Sequence, residues 1–340
     1  MGIDEIISDI EYNIFRQTWP DCDSEKSDAV KQLMKDLCSK YEQINPRLTT
    51  EIAIQVSQIT RRRDYETTCK LIKLYNSAEF EETILKLNNL KYIELIRTVC
   101  QIETNFELIE EYVKIMPELA NNEQINRINS EILTIHSKNS EVPEVLTKII
   151  KLIVKQKDKV TLDAINCINY SCNYLGKKGK RLRLNYIDFI TNLVELNADK
   201  QTYKELTTHV NRAKNYSAKK RFVDCIIKEK EYLLSQKSEY IPIMTFMLAE
   251  VTNYENSEKY TTALKNISET DKRNLCIAQD IAKRNMNPET KRNYYNEFYV
   301  GLKDTLKTDY ENIGKWADAI ISGLKEVART GQSLSEVMGR

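Results

Sequence analysis

Five cations stand within seven residues at Lys177, Lys178, Lys180, Arg181 and Arg183, with Gly176 before them and Gly179 among them. Glycine lets backbone amides approach an anion closely, and ammonium and guanidinium groups neutralise phosphate or carboxylate. The run therefore has the composition of an anion-binding turn that opens a helix. A second cationic group, Arg212, Lys214, Lys219, Lys220 and Arg221, follows at the next expected inter-helix turn. Tyr170, Tyr174, Tyr186 and Tyr216 are interleaved with the two groups and offer stacking surfaces. If successive turns lie on related edges, the cations converge on one surface suited to an acidic protein face or a nucleic-acid backbone.

The formal net charge of +1 conceals this block. Residues 1–147 hold 17 Lys or Arg against 26 Asp or Glu, residues 148–230 hold 19 against 8, and residues 231–340 hold 15 against 16. Arg61, Arg62 and Arg63 form a further basic run, but Asp64 and Glu66 stand beside it, which suits a helix end.

Other chemistry is sparse. The two histidines, His136 and His209, have no Cys, Asp or Glu at ligand spacing, and no HExxH occurs, so neither a metal nor a cofactor is expected. His136 falls in the last turn of an expected helix, and His209, set among polar residues, is expected to be exposed. No Walker A, GxGxxG, GxSxG or kinase signature is present. The acidic pairs Glu81-Glu82 and Glu110-Glu111 read as solvated helix surface. The eight cysteines are scattered along apolar stripes without a CxxC pair, as expected of single thiols in the core of a protein from a reducing compartment. The longest apolar stretches, such as 241–249, fall short of the roughly 18 residues a membrane span needs. The opening MGIDEIISDIEYNIF is acidic, unlike a secretory signal. These features predict an intracellular, non-enzymatic protein.

The elements that must carry the cations are helices. No glycine occurs between Ile3 and Leu175 or between Lys180 and Val300, which removes the usual means of making tight hairpins. Apolar residues recur at helical spacing, as in Ile3, Ile6, Ile7, Ile10, Ile14 and Phe15, then Val30, Leu33, Met34, Leu37 and Tyr41, a unit that Pro46 is expected to close. Further helices are predicted over about 49–61, 64–75, 78–88, 90–101, 104–116, 123–137, 142–156, 160–175, 182–197, 200–214, 218–235, 239–254, 257–267, 270–285, 289–307 and 310–329. From residue 123, pairs of helices begin near 123, 158, 199, 239 and 270. That spacing lies in the range of HEAT, armadillo and tetratricopeptide units, although the W-x2-L-G-x2-Y and T-P-L-H signatures are absent.

The expected fold is all-α, an irregular α-solenoid of stacked helical hairpins, with a compact multi-helix bundle as the alternative. Three regions follow: an acidic one at 1–147, hairpins with the basic block at 148–307, and an amphipathic helix and tail at 308–340. On that last helix, Ile313, Trp316, Ile320 and Leu324 trace one apolar face, and Tyr294, Tyr295 and Phe298 cluster shortly before it. Both are candidates for docking a protein partner. Ser333 and Glu336 have capping-box spacing in the tail. The expected function is macromolecular interaction, with a protein partner first, nucleic-acid binding second and a helical enzyme with a dispersed site third.

Overall fold

A computed structural model describes residues 4–5, 7–8, 12, 24–60, 65–87, 90–100, 106–119, 124–139, 142–174, 179–212, 215–251, 254–284, 294–330 and 332–339. All regular structure among the described residues is helical. The stripe over residues 3–15 and the basic run at 61–63 lie largely or wholly outside the described residues. The chain forms two compact units, Met1–Asp188 and Phe189–Arg340.

The first unit contains α1 (Ser24–Glu42), α2 (Pro46–Thr60), α3 (Tyr65–Tyr75), α4 (Ala78–Leu87), α5 (Leu90–Cys100), α6 (Phe106–Leu119), α7 (Gln124–Lys138), α8 (Pro143–Lys155), α9 (Leu162–Tyr174) and the start of α10 (Lys180–Glu195). Pro46, expected to end a unit, opens α2 instead. It needs no hydrogen-bond acceptor at the first helical position, and the Asn45 side chain accepts from the amides of Arg47 and Leu48. The helices touch in two rows, α4, α6 and α8 in one and α2, α5, α7 and α9 in the other, with α5–α6 and α7–α8 joining them. Seven of the polar links in this unit span 31 to 44 residues. Two end on backbone carbonyls: Lys40 Nζ donates to Asn76 at 3.0 Å and Lys86 Nζ to Pro117 at 3.2 Å.

Buried rings run through this unit. Tyr41, Tyr75, Phe80, Tyr92 and Tyr112 are enclosed, with neighbouring ring centroids 4.7 to 6.5 Å apart. The Tyr41 hydroxyl donates to the Tyr75 carbonyl at 2.9 Å and that of Tyr112 to Asn129 Oδ1 at 2.5 Å, so part of the phenolic surface is buried without an orphaned donor.

The second unit holds the rest of α10, then α11 (Lys200–Arg212), α12 (Tyr216–Lys228), α13 (Lys230–Leu234), α14 (Ile241–Val251), α15 (Ser257–Lys265), α16 (Glu269–Arg284), α17 (Tyr295–Thr308), α18 (Ile313–Thr330) and α19 (Leu334–Val337). Its centre is α14, apolar nearly all round and buried from Ile241 to Leu248 and at Val251. It touches α11, α12, α13, α15 and α17. Helix α18 lies against α16 and α17, and α19 closes over α17 and α18 with the expected capping box at Ser333 and Glu336. The single helix expected over 218–235 divides at Glu229 into α12 and α13. Where glycine is absent, asparagine takes the left-handed turns, Asn197 at φ 53° and Asn256 at φ 62°.

Candidate functional site

The structure separates the basic residues by environment. Lys177, Lys178 and Lys214 lie outside the described residues, as does the side chain of Arg212. Arg183 is 1% exposed, and its Nη1 donates to Asn139 Oδ1. It continues the inward stripe of Tyr186, Ile187 and Ile190 by one turn, so the helix carries it into protein rather than toward a phosphate. Lys180 pairs with Glu144 in the first turn of α8, and the hydrogen bond it donates holds that carboxyl below its ordinary range. Arg181 is exposed. In the second unit Lys219 is half-buried, Lys220 pairs with Asp224 at 2.5 Å, and Arg221 is exposed. Tyr186 is buried beside Cys167 at 3.2 Å, whereas Tyr170 and Tyr216 are exposed.

The apolar faces proposed for docking are packed inside the second unit. Ile313, Trp316, Ile320, Leu324, Tyr294 and Phe298 are buried, and Tyr295 is half-buried. Tyr294 donates its hydroxyl proton to the Val327 carbonyl at 2.9 Å, and the Phe298 and Trp316 rings lie 5.7 Å apart. The close approach depends on Gly301, where an added Cβ would stand 3.1 Å from the Trp316 ring. The strongly amphipathic α18 thus has its covering surface in its own unit.

A cleft of about 790 Å³ lies beside α17, in the size range of ligand pockets. Its floor is aromatic: Phe246 and Tyr299 are 4.5 Å apart edge to face, His209 is 5.0 Å from Phe246, and Phe222 is 5.8 Å from His209. Arg221, Lys303 and Lys307 are its cationic lining residues, with Glu250 as the acid. Lys303 pairs with Glu250 at 3.0 Å. Among the described residues no carboxylate pairs with Arg221 or Lys307. A second hollow of about 310 Å³, with Gly301, Trp316, Ile320, Leu334 and Met338 among its walls, lies on the other side of Asn296 and Val300, which line both.

A charged cluster is built next to the cleft floor. Glu205 is 2% exposed, and its carboxylate meets Lys283 Nζ at 2.7 Å while accepting from the hydroxyls of Tyr299 at 3.1 Å and of Tyr295. Gln201 donates to it at 2.6 Å, and His209 Nε2 stands 3.9 Å away. Burial pushes the carboxyl up, but the hydrogen bonds from Lys283 and Tyr295 and the Lys283 charge outweigh it, so the net shift is downward. The cluster ties α11, α16 and α17 together and fixes Tyr299, a floor residue, against Glu205. His209, expected to be exposed, is buried here at 7%. Sequence reasoning passed over Glu205 and Lys283 as well. The available signal was that Glu205 and His209 fall on the inward stripe of α11 with Thr202, Tyr203, Leu206 and Val210.

Among the described residues, burial disfavours the thiolate of several cysteines. Cys38, Cys69, Cys167, Cys172 and Cys225 are buried and Cys276 half-buried, none of them in a disulfide. Burial pushes Cys38 up to about 11 and Cys172, Cys225 and Cys276 up to about 12. Among the described residues no three His, Cys, Asp or Glu side chains gather as a metal set, and no helix is long and apolar enough to cross a membrane.

The class the geometry defines is therefore an all-helical protein with an aromatic cleft rimmed by cations. Comparison with protein-family models, with curated proteins and with solved structures found no match for the chain.

Proposed function

We propose that this is a non-catalytic interaction protein, an irregular α-solenoid of stacked helical hairpins, whose second unit binds an acidic segment of a protein partner. The observation that carries this reading is the cleft whose lining joins Arg221 and Lys307 to the rings of Phe222, Phe246 and Tyr299. Cations beside rings bind carboxylate side chains through charge and apolar or aromatic ones through packing, which is a peptide-like combination. The solenoid reading draws on the two rows of successive helices and on polar links recurring at similar separations. The non-catalytic reading draws on thiols raised away from reactivity and on a Glu205 cluster whose groups engage one another. Reduced, buried thiols suit an intracellular setting.

Nucleic-acid binding through the basic block is the reading this one displaces, because Arg183 is enclosed and Lys180 already has Glu144. The test pans a random peptide library displayed on phage against the full chain and against the Arg221→Glu, Lys307→Glu double variant. Enrichment of acidic peptides by the parent chain alone is the expected result. In parallel, DNA and RNA are titrated at about 50 and 200 mM salt. Tight, salt-sensitive nucleic-acid binding without acidic-peptide enrichment overturns the proposal.

A further inference from the structure

Val300 is 60% exposed, the most exposed of the large hydrophobic side chains among the described residues, although it sits on a helix whose neighbours Phe298, Tyr299 and Leu302 are buried. With Asn296, one turn earlier, it forms the crest between the cationic cleft and the Trp316 hollow. The two sides of the crest differ in charge. Arg221, Lys303 and Lys307, against the one acid Glu250 that Lys303 pairs with, line the cleft, whereas Glu297 and Asp304 and no cation line the hollow. The Glu297 carboxylate already accepts from the Leu334 amide at 2.6 Å. Besides Asn296 and Ser333, the hollow is walled by apolar Trp316, Ile320, Leu334 and Met338 around the bare backbone of Gly301.

We infer that the partner segment is bipartite, placing an apolar anchor side chain in the Trp316 hollow and acidic side chains in the cleft, and crossing α17 at Val300. This inference rests on the cleft reading above and deepens it. Charge complementarity sets the direction: Asp304 repels an acidic group on the hollow side, while Arg221 and Lys307 attract one on the other. Size sets the length. Across α17 the path is about 10–12 Å, the width of a helix with its side chains. An extended segment covers that with about four residues at roughly 3.3 Å each. Anchor and acids therefore belong within about four positions of one another in an extended partner.

The experiment reads the peptides enriched by panning and then measures them in solution on the full chain carrying Trp19→Phe, so that Trp316 is the sole tryptophan. The expected peptides carry a branched aliphatic or aromatic residue within about four positions of two or more acids. Tryptophan-free versions shift Trp316 emission, and Val300→Asp weakens them at least about tenfold. Val300 is exposed, so its substitution leaves the fold in place. Acidic peptides that depend on Arg221 and Lys307 yet leave Trp316 emission unchanged overturn the bipartite segment, whatever Val300→Asp does from the cleft side, and leave the cleft reading standing. Peptides without acids, or no enrichment at all, overturn both.

Discussion

Glu205 and Lys283 are far apart in the chain and meet inside the second unit with 2.7 Å between carboxylate and ammonium. The carboxylate side is 3% exposed and the ammonium side 22%, so removing one partner strands a charge with limited access to water. Glu205→Gln and Lys283→Met are each expected to cost about 3 kcal/mol, the low end for buried pairs because Lys283 keeps some solvent. The double variant recovers at least about 1 kcal/mol of the summed loss. Urea midpoints of the four proteins measure this coupling, and strictly additive midpoints refute it.

The same pair sets a pH dependence. The folded Glu205 carboxyl is held below its ordinary value of 4.5, so the fold binds its proton less readily than the unfolded chain. Its stabilisation is fully present above the unfolded value and is lost as pH falls below it through the folded one. The gap in melting temperature between the parent and Glu205→Gln should hold steady from neutral pH to just above 4.5 and narrow below it. A gap that widens on acidification contradicts the assignment.

Two neighbouring arginines behave differently. Arg183→Gln strands Asn139 in a site only 1% exposed and is expected to destabilise the fold by about 3 kcal/mol. Arg181→Gln, on the exposed side of the same helix, stays within about 0.5 kcal/mol of the parent. Thermal melts of both variants decide the point, and they show which charge reversals in the basic block report on binding rather than on folding.

Gly301 admits Trp316 because it has no side chain. Gly301→Val places a branched group where even Cβ would be 3.1 Å from the ring. Overpacking here is expected to cost about 1–3 kcal/mol and to shift Trp316 emission. Val300→Ala, one residue earlier and exposed, should leave both readouts unchanged.

The thiols provide a packing test. With Cys22 and Cys100 replaced by Ser, the native protein should react only slowly with a thiol-exchange reagent at about pH 8, where roughly a quarter of free thiol is ionised. In denaturant all six remaining thiols should react at once. A fast native phase larger than one thiol, the share that half-buried Cys276 could supply, would mean that one of the five buried thiols is open.

Much of the helix pattern was legible because apolar spacing reports it directly. The expected 142–156, 160–175 and 270–285 correspond to Pro143–Lys155, Leu162–Tyr174 and Glu269–Arg284. The break at Glu229 was not, since neither glycine nor proline marks it. That carboxylate, 8% exposed, pairs with Lys265 of α15, a contact outside its own helices. An apolar stripe says that a face is covered but not by what, which is why Ile313 and Leu324 read as a docking face although they pack inside their own unit. Arg183, Glu205 and His209 interrupt such stripes and were readable as buried polar groups. Their assembly was not, because Tyr295 and Tyr299 reach Glu205 across 90 and 94 residues.

Helix α14 has a consequence for synthesis. Its apolar girdle is complete only when α17, which begins at Tyr295, has been added to the chain that already contains Ile241. At about 5–20 residues per second, the ribosome leaves one flank of α14 unsheltered for roughly 3–11 seconds. During that interval a nascent chain presents a sticky helix that the finished protein hides. A transcript truncated between α15 and α17 should therefore yield an aggregating product and a substrate for chaperones, while the full-length message yields neither.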